Sequence, residues 1–379
     1  MAFNLIRNSR VFYTSNVDAT TGAVKGTGFL PANTREIQVL EGFSFSQNTT
    51  SETVTLNEAG AAPVRGQRSF NTALDPADFS FTTYMRPADV AAVITCEEAV
   101  LWNAMFSAKE IPTTGCAWTN NANNATCVVT NSDKHQLLAF GLIIVVDETT
   151  FVIDNCVLNT ATIDFGLDAI ASIQWAGQGG VLRQINSPVI SGGTLTANAA
   201  GNSVAGTFLE KNTTAPYIAN KLSIVSLDAG IASGGTAYTI PITGGSLTIS
   251  NNVTYLTPAN LATVNKPVTY FTSTRAISGS LNAYLRTGTG YSSDLMSTML
   301  AGSTTAVSPD FYLKIAIGGA NTTRVEFEMP GVVLTIPTVN AEQVVSTTIN
   351  FTAQGVSNNT FDIGSANELN ITYVTPQIT

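Results

Sequence analysis

Alternating apolar and polar positions mark several segments of the chain as β-strands with one buried face. The clearest is 324–329, where valine, phenylalanine and methionine alternate with Glu326 and Glu328. Successive side chains of a strand point to opposite faces of a sheet, so the apolar residues share one face and the two glutamates the other. This pattern predicts a half-buried strand.

A second kind of strand is apolar on both faces. Leu137 to Val146 contains only apolar residues and glycine, and after the polar segment 147–150 the chain is apolar again from Phe151 to Ile153. Strands that lack alternation are typical of positions covered on both sides. We therefore expect a central hairpin in the core of a β-sandwich.

Two segments carry apolar residues at helical spacing, and each predicts one α-helix. The first helix begins at Pro87, since proline is favoured in the first turn, and the second runs from about Ser292 to Leu300. Stripes of this kind are more often core than a cofactor contact. The apolar positions are Val90, Val93, Ile94, Val100, Leu101 and Met105 in the first helix, and Leu295, Met299 and Leu300 in the second.

Part of the first half of the chain recurs in the second half. Phe79–Arg86 aligns without gaps on Gly279–Arg286 at a constant offset of 200, with serine, tyrosine and arginine in common. Upstream, Phe43–Asn48 matches Leu247–Asn252, a similar strand with a similar polar exit. Such repetition favours an internal duplication.

A third block completes the repeat and locates an insertion. Ile173–Gly179 matches Ile349–Gly355, where the offset has fallen to 176. The fall is explained if the first half carries an extra loop, for which 109–134 is the candidate. Small and polar residues dominate 191–203, which favours a linker. We predict a first domain over 1–190, a linker over 191–215 and a second domain over 216–379.

Composition agrees with a β-protein. Charged residues make up 11% and hydrophobic ones 44% of the 379 residues, and threonine, asparagine, serine and glycine are abundant. The net charge of -9 disfavours a nucleic-acid reader, which needs clustered cations. The segment from Met1 to Phe12 lacks the apolar core of a signal peptide or anchor, and 137–146 is too short for a membrane helix. We expect a soluble, unprocessed chain.

The residues that enzymes use are scarce. His135 is the one histidine, and it stands at the polar start of an apolar strand, where a solvated role is typical. No phosphate-binding loop, nucleophile elbow or zinc spacing occurs. The carboxylate pairs Glu97 with Glu98, and Glu326 with Glu328, leave glycoside hydrolysis as a minor alternative. We predict no enzyme, no cofactor and no metal.

All four cysteines lie in the first half of the chain. Cys116 and Cys127 flank a polar loop and are candidates for a disulfide, while Cys96 and Cys156 stand apart. We favour reduced thiols, because a protein assembled inside a cell meets a reducing environment.

Two long polar segments leave the predicted domains at matching places. They cover 47–78 in the first half, which includes Arg65 and Arg68, and 252–276 in the second. Long excursions from a compact domain tend to be functional or disordered. In an assembling protein such a segment suits an arm that docks on a neighbour.

Together these features resemble the tail tube proteins of tailed bacteriophages. The residues that carry the resemblance are Leu40–Ser46, Phe79–Pro87 and Val325–Gly355, with a strand leading to a polar arm and a strand ending in Tyr-Met-Arg or Tyr-Leu-Arg. The resemblance implies a β-sandwich or barrel with one flanking helix in each half. It also implies rings, joined through strand edges, that stack into a hollow tube.

The resemblance further implies partners and a location. Single-domain members form six-fold rings, so three two-domain chains would give a pseudo-six-fold ring. Expected partners are other copies of the chain and sheath, tape-measure, baseplate and tail-terminator proteins, in a virion tail assembled in the host cytoplasm. DNA would pass without specific binding. Glu326 and Glu328 are candidates for the lumen surface, and Arg65 and Arg68 for an inter-ring arm.

Two other functions fit the same pattern. A baseplate or hub protein shares the fold but closes one end of a tube. An adhesive β-sandwich would bind sugars through exposed aromatic side chains, for which Trp118 in the inserted loop is the better candidate. Trp175 is matched by Phe351 in the other half, which favours a place in the core.

Overall fold

The computed structural model describes most of the chain and is dominated by antiparallel strands, which confirms the mainly β fold. The described residues are 9–15, 17–18, 34–54, 67–90, 93–96, 98–107, 116–129, 137–146, 149–185, 216–231, 234–305, 310–340, 345–357, 360–361 and 367–375. The predicted linker over 191–215 lies outside them, and the domain boundaries stay a prediction.

The first part of the chain forms fourteen strands and one helix within the described residues. They are β1 (Ser9–Thr14), β2 (Thr34–Ile37), β3 (Ser44–Ser46), β4 (Thr49–Val54), β5 (Arg68–Leu74), β6 (Ala77–Tyr84), β7 (Pro87–Val90), β8 (Val93–Cys96), α1 (Ala99–Phe106), β9 (Cys116–Asn120), β10 (Asn124–Val129), β11 (Phe140–Val146), β12 (Thr149–Asp164), β13 (Ser172–Gly179) and β14 (Leu182–Ile185).

The second part adds thirteen described strands and a second helix, and begins with a 3-10 turn at Asn220–Leu222. They are β15 (Ile224–Ala229), β16 (Ala237–Tyr238), β17 (Ile242–Ser250), β18 (Val253–Leu256), β19 (Thr269–Thr272), β20 (Ala276–Tyr284), α2 (Ser292–Thr305), β21 (Asp310–Gly318), β22 (Arg324–Leu334), β23 (Thr338–Asn340), β24 (Ser346–Ala353), β25 (Val356–Ser357), β26 (Thr360–Phe361) and β27 (Asn370–Val374).

The same order of strand pairing occurs in both parts of the chain. β1 pairs with β2 and β11, as β15 pairs with β16 and β21. β12 pairs with β11, β13 and β14, as β22 pairs with β21, β24 and β27. β6 pairs with β3 and β13, as β20 pairs with β17 and β24.

Two further pairings join the two parts of the chain into one large sheet. The end of β12 pairs with β17, and β10, from the predicted insertion, pairs with β27 near the C-terminus. Backbone hydrogen bonds therefore run without interruption from the first half into the second.

One hydrophobic core also spans both parts. Trp102 of α1 lies edge-on to Trp175 of β13, with ring centroids 4.8 Å apart, and 6.3 Å from Phe327 of β22. Its indole N–H donates to the hydroxyl of Tyr373 in β27 over 3.1 Å. All four side chains are buried. Burial of large aromatic rings supplies much of the stability of such a core.

The first predicted helix is wrong over its first half. β7 begins at Pro87 and forms an antiparallel hairpin with β8. The helix starts only at Ala99, and in its first turn the amides of Leu101 and Trp102 donate to the carbonyl of Glu98. The segment 93–95 is Val-Ile-Thr, three β-branched residues in a row, which favour extended backbone. The spacing of the apolar residues fitted both a helix and a hairpin, and the pairing of β7 with β8 decided for the hairpin.

The other predicted elements are confirmed with changed bounds. β11 begins at Phe140, three residues after Leu137, and forms the expected hairpin with β12. The second helix, α2, extends to Thr305. In β22 the apolar residues of 324–329 are buried and the two glutamates are half-buried, as their alternation predicted.

Candidate assembly surfaces

Eight strands follow one another in an uninterrupted, hydrogen-bonded sheet. Its order is β3, β6, β13, β12, β17, β20, β24 and β23, each hydrogen-bonded to the next. One face of this eight-stranded sheet packs on the core. Buried residues on that face include Phe79, Phe81, Ala161, Ile163, Trp175, Leu247, Ile249, Leu281, Ile349 and Phe351.

The opposite face of the eight-stranded sheet, here called the polar face, carries hydroxyl and amide side chains. Neighbouring strands place one such residue beside the next across both halves of the chain. One row consists of Thr82, Gln174, Thr162, Thr248, Ser278 and Thr352, in that register. The exposed carboxylates of Asp78 and Asp164 also lie on this face. Apolar and polar residues alternate along each strand, so the polar side chains of all these strands lie on the same face of the sheet.

Hydroxyl pairs bridge corresponding strands on the polar face. The hydroxyls of Ser44 in β3 and Ser80 in β6 are 2.8 Å apart. Those of Ser246 in β17 and Ser280 in β20 are 3.2 Å apart. The two halves thus use the same contact at the same place, and both pairs leave the polar face without charge there.

The junction between the halves lies in the middle of this sheet. β12 and β17 pair over five positions, with Ile163 opposite Leu247 and Ala161 opposite Ile249. All four side chains are buried. The junction is a strand ladder with an apolar underside, and not a loose contact between domains.

The two ends of the eight-stranded sheet are β3 and β23. Within the described residues β3 pairs with β6 alone and β23 with β24 alone, so each presents a second edge. Val339 of β23 is 40% exposed and the preceding Ile336 is 52% exposed. Edges of this kind are templates for pairing with another chain.

The long polar segments form two exposed hairpins beside the sheet. β4 pairs with β5, and β18 with β19. In the first hairpin the guanidinium of Arg68 lies 4.7 Å from the ring of Phe70, whereas Arg65 lies outside the described residues. The hairpins meet where Ala73 bridges to Asn265. Their docking role stays a prediction.

The second hairpin is anchored on the first half of the chain. The hydroxyl of Tyr255 donates to the carbonyl oxygens of Asn155 and Gln178, the latter at 3.1 Å, and that of Tyr270 donates to the carbonyl of Leu137. Beyond β18 the loop exposes 97% of Leu261. A fully exposed leucine on an anchored hairpin is a candidate contact for a neighbour.

The two glutamates of β22 are engaged with cations and a phenol. Lys314 Nζ lies 2.9 Å and Arg324 Nε 2.6 Å from the carboxylate of Glu326. Burial acts to raise the pKa of Glu326, but the hydrogen bonds from Lys314 and Arg324 outweigh it and lower the pKa. Burial, followed by the charge of Glu328, raises the pKa of Tyr312. The lumen role of the glutamates stays a prediction.

The candidate aromatic residues of the adhesive alternative are packed. Trp118 is half-buried, its indole N–H donates to Asn103 Oδ1 at 3.0 Å, and its ring lies edge-on to Tyr373. Trp175 and Phe351 are buried, which confirms their place in the core. Trp118 therefore offers little free surface for stacking on a sugar.

The cysteines differ from the favoured interpretation at one position. Cys127 is disulfide-bonded, so reduced thiols were wrong for it, whereas Cys96 and Cys156 are free and buried. Cys127 lies on β10, which pairs with β9, and its position in the ladder is opposite Trp118. The sequence had indicated Cys116 and Cys127 as candidates for a disulfide, but reduced thiols were favoured.

The buried thiol of Cys96 is hydrogen-bonded to the buried carboxylate of Glu98. Cys96 donates to Glu98 Oε2 at 3.1 Å, and the same carboxylate accepts the Arg86 amide at 3.1 Å. Burial, with the charge of Glu98, raises the pKa of the Cys96 thiol, which keeps it protonated and weakly nucleophilic. His135 lies outside the described residues.

Neither a metal-binding cluster nor a membrane-spanning helix occurs among the described residues. No three histidine, cysteine, aspartate or glutamate side chains in these segments stand close enough to hold a metal ion. In the same part of the chain no helix combines the length and apolar character needed to cross a membrane.

Comparison with known proteins adds a relative that matches almost the whole chain. No protein-family model matches this chain. The chain is 30% identical over 364 residues to the tail tube protein pb6 of Escherichia phage T5, and the match covers 93% of this chain and 73% of that protein. The chain therefore belongs to the family of phage tail tube proteins and is a structural component of the virion tail.

Proposed function

We propose that three copies of the chain close into a ring of pseudo-six-fold symmetry, and that such rings stack into the hollow tube through which phage DNA passes. The observation that supports this most directly is the eight-stranded sheet. Its apolar face is covered by the rest of the chain, while its polar face is open. A sheet that closes by joining its ends would keep the covered face outside and turn the polar face toward the lumen.

Pseudo-six-fold symmetry requires two equivalent halves, and the pairing order supports a duplication. β11 and β12 shift register between the pairs Phe140–Cys156 and Leu142–Ile153. β21 and β22 show a shift of the same size between their corresponding pairs, Phe311 with Val332 and Leu313 with Met329. An irregularity shared at one place is hard to explain without common ancestry of the halves.

Hydrogen bonds refine the alignment of the repeated blocks. Met85 N donates to Ala171 O, and Leu285 N donates to Val345 O, which keeps the offset of 200 for the central block but gives 174 for the third block. The sequence alignment had 176. The fall in offset from 200 to 174 then equals the length of the predicted insertion, 109–134.

The lumen surface that follows from closure is mostly neutral. Three eight-stranded sheets would give a barrel of 24 strands, far wider than the small barrels whose interiors are filled by side chains. Hydroxyl and amide groups offer phosphates no opposite charge, and Asp78 and Asp164 would repel them. Glu326 and Glu328 lie on the part of β22 that pairs with β21 and β27, outside this sheet.

The remaining roles follow from a structural tube. The exposed hairpins β4–β5 and β18–β19 are proposed to contact the next ring. The proposed partners are sheath, tape-measure, baseplate and tail-terminator proteins. Assembly is proposed to take place in the host cytoplasm, and no catalytic role is proposed. DNA is proposed to slide past the polar face without specific binding.

Electron microscopy of the purified protein tests the ring and the tube together. We expect hollow tubes or stacked rings whose repeating layer contains three chains of 39.7 kDa. Mass per layer distinguishes three chains from six. A protein that stays a single chain under all conditions, or rings of another subunit number, would refute the proposal.

A further inference from the structure

We infer that β23 of one chain pairs antiparallel with β3 of the next chain, and that the register of this junction is fixed by the junction already present inside each chain. The inference rests on the proposed ring. The predicted pairs are Thr338 with Ser46, Val339 with Phe45, and Asn340 with Ser44.

The internal junction supplies the template. The end of β12, from the first half, pairs with β17, from the second half, over Thr160–Asp164 and Ser246–Ser250. In a ring of alternating, equivalent halves, every junction between a first and a second half recurs as a junction between a second half and the next first half. The edges that correspond to β12 and β17 should therefore meet between chains.

β23 corresponds to the end of β12. In the first half the pairing of β12 with β13 shifts by one residue between Leu158–Gly177 and Thr160–Ala176. In the second half the strand opposite β24 shifts by one residue between Leu334–Phe351, in β22, and Thr338–Thr348, in β23. The irregularity shared by β12 and β22 matches Ile153 with Met329, which gives an offset of 176 between these two strands. By this offset Thr162 corresponds to Thr338 and Asp164 to Asn340.

β3 corresponds to β17. The hydroxyl pair of Ser44 and Ser80 joins β3 to β6, and the pair of Ser246 and Ser280 joins β17 to β20, at the same place in the pairing order of the two halves. This equivalence gives an offset of 202 between β3 and β17, whereas the sequence alignment of Phe43–Asn48 on Leu247–Asn252 had 204. Leu247 then corresponds to Phe45.

Transfer of the register follows directly. Inside the chain, Asp164 is opposite Ser246, Ile163 opposite Leu247 and Thr162 opposite Thr248. Replacing each residue by its counterpart yields the three predicted pairs. Pro337 takes the place of Ala161 and has no N–H, so the new ladder is expected to be short.

The exposure of the edge agrees with a missing neighbour. Ile163 is fully buried in the internal junction, whereas its counterpart Val339 is 40% exposed in the single chain. Both candidate edges pair on one side only within the described residues. A second copy is the occupant that the structure favours, because the same two kinds of edge already bind each other within one chain.

Paired cysteines test the register. We expect the double variant Asn340→Cys with Ser44→Cys, after mild oxidation of assembled protein, to shift from one chain to covalent species that end at three chains on a non-reducing gel. Opposite residues on paired strands are close enough for a disulfide. The matched control, Asp164→Cys with Ser246→Cys, occupies the internal junction and should form its disulfide within one chain. A displaced pair, Thr338→Cys with Ser44→Cys, should give little product.

The outcomes separate this junction from the tube itself. Tubes that form while the displaced pair cross-links better than Asn340→Cys with Ser44→Cys would overturn the register. Tubes in which neither pair cross-links, although the internal control does, would show that another strand or another protein occupies these edges. Absence of rings and tubes from the unmodified protein would instead refute the proposed function.

Discussion

Replacing Gly279 with alanine tests how tightly the eight-stranded sheet is packed at β20. A Cβ at this position would lie 2.0 Å from the carbonyl oxygen of Ser246 and 2.5 Å from the ring of Phe351. Ordinary contact begins near 3.4 Å, so the backbone of the neighbouring strand would have to move away. Because that strand is β17, the change strains the ladder beside the junction between the halves.

The magnitude follows from three contributions. Overpacking a well-filled site costs about 1 to 3 kcal/mol. A weakened ladder bond adds about 1 kcal/mol. Alanine also lowers the entropy of the unfolded chain, which returns about 0.4 to 1 kcal/mol. We expect Gly279→Ala to lose about 2 kcal/mol of unfolding free energy.

The assay is urea unfolding followed by tryptophan fluorescence, at a concentration where sedimentation shows single chains. Gly166→Ala is the matched control, because a Cβ there meets nothing within 4 Å, and its stability should be unchanged or slightly higher. If Gly279→Ala were as stable as Gly166→Ala, the close packing of β20 on β17 would be refuted.

Three further changes test other parts of the structure. Glu326→Gln should cost about 1 to 2 kcal/mol at pH 7. Because the folded pKa of Glu326 is lowered, this contribution is present above the usual pKa of 4.5 and disappears as the pH falls below it. The unfolding free energies of wild type and Glu326→Gln should therefore converge in acid. Glu52→Gln, at an exposed position, is the control and should show no such convergence. Trp102→Phe should cost about 2 kcal/mol in thermal unfolding because it removes the bond to buried Tyr373, and two separate transitions would contradict a shared core. Leu261→Ser should leave stability within about 0.5 kcal/mol but shorten tubes seen by microscopy, whereas Leu222→Ser, exposed off the hairpin, should not.

Local patterns predicted the elements that local physics controls. The alternation in β22, the apolar hairpin of β11 and β12, and the stripe of α2 are visible in short windows, because one face of each must be buried. Trp175 was placed in the core because the sequence alignment matched it with Phe351, and both are buried, although the strand pairing aligns Trp175 with Ile349. These assignments needed no knowledge of strand partners.

Features that depend on distant partners were missed. Pro87–Cys96 carries apolar residues at a spacing that suits a helix, but the hairpin of β7 and β8 formed instead. β27 is a short alternating strand, and one of its two partners, β10, lies in the other half of the chain. The polar face was equally hidden, since each strand shows its own serines and threonines but only the register aligns them across both halves.

The double join between the halves has a mechanical consequence. β12 with β17 and β10 with β27 form two separate ladders, and a body held along two lines cannot swing about either one. Bending within one chain would therefore require breaking several backbone hydrogen bonds at once. We expect a tube of such chains to be rigid within each layer and to curve, when it curves, through slippage between layers.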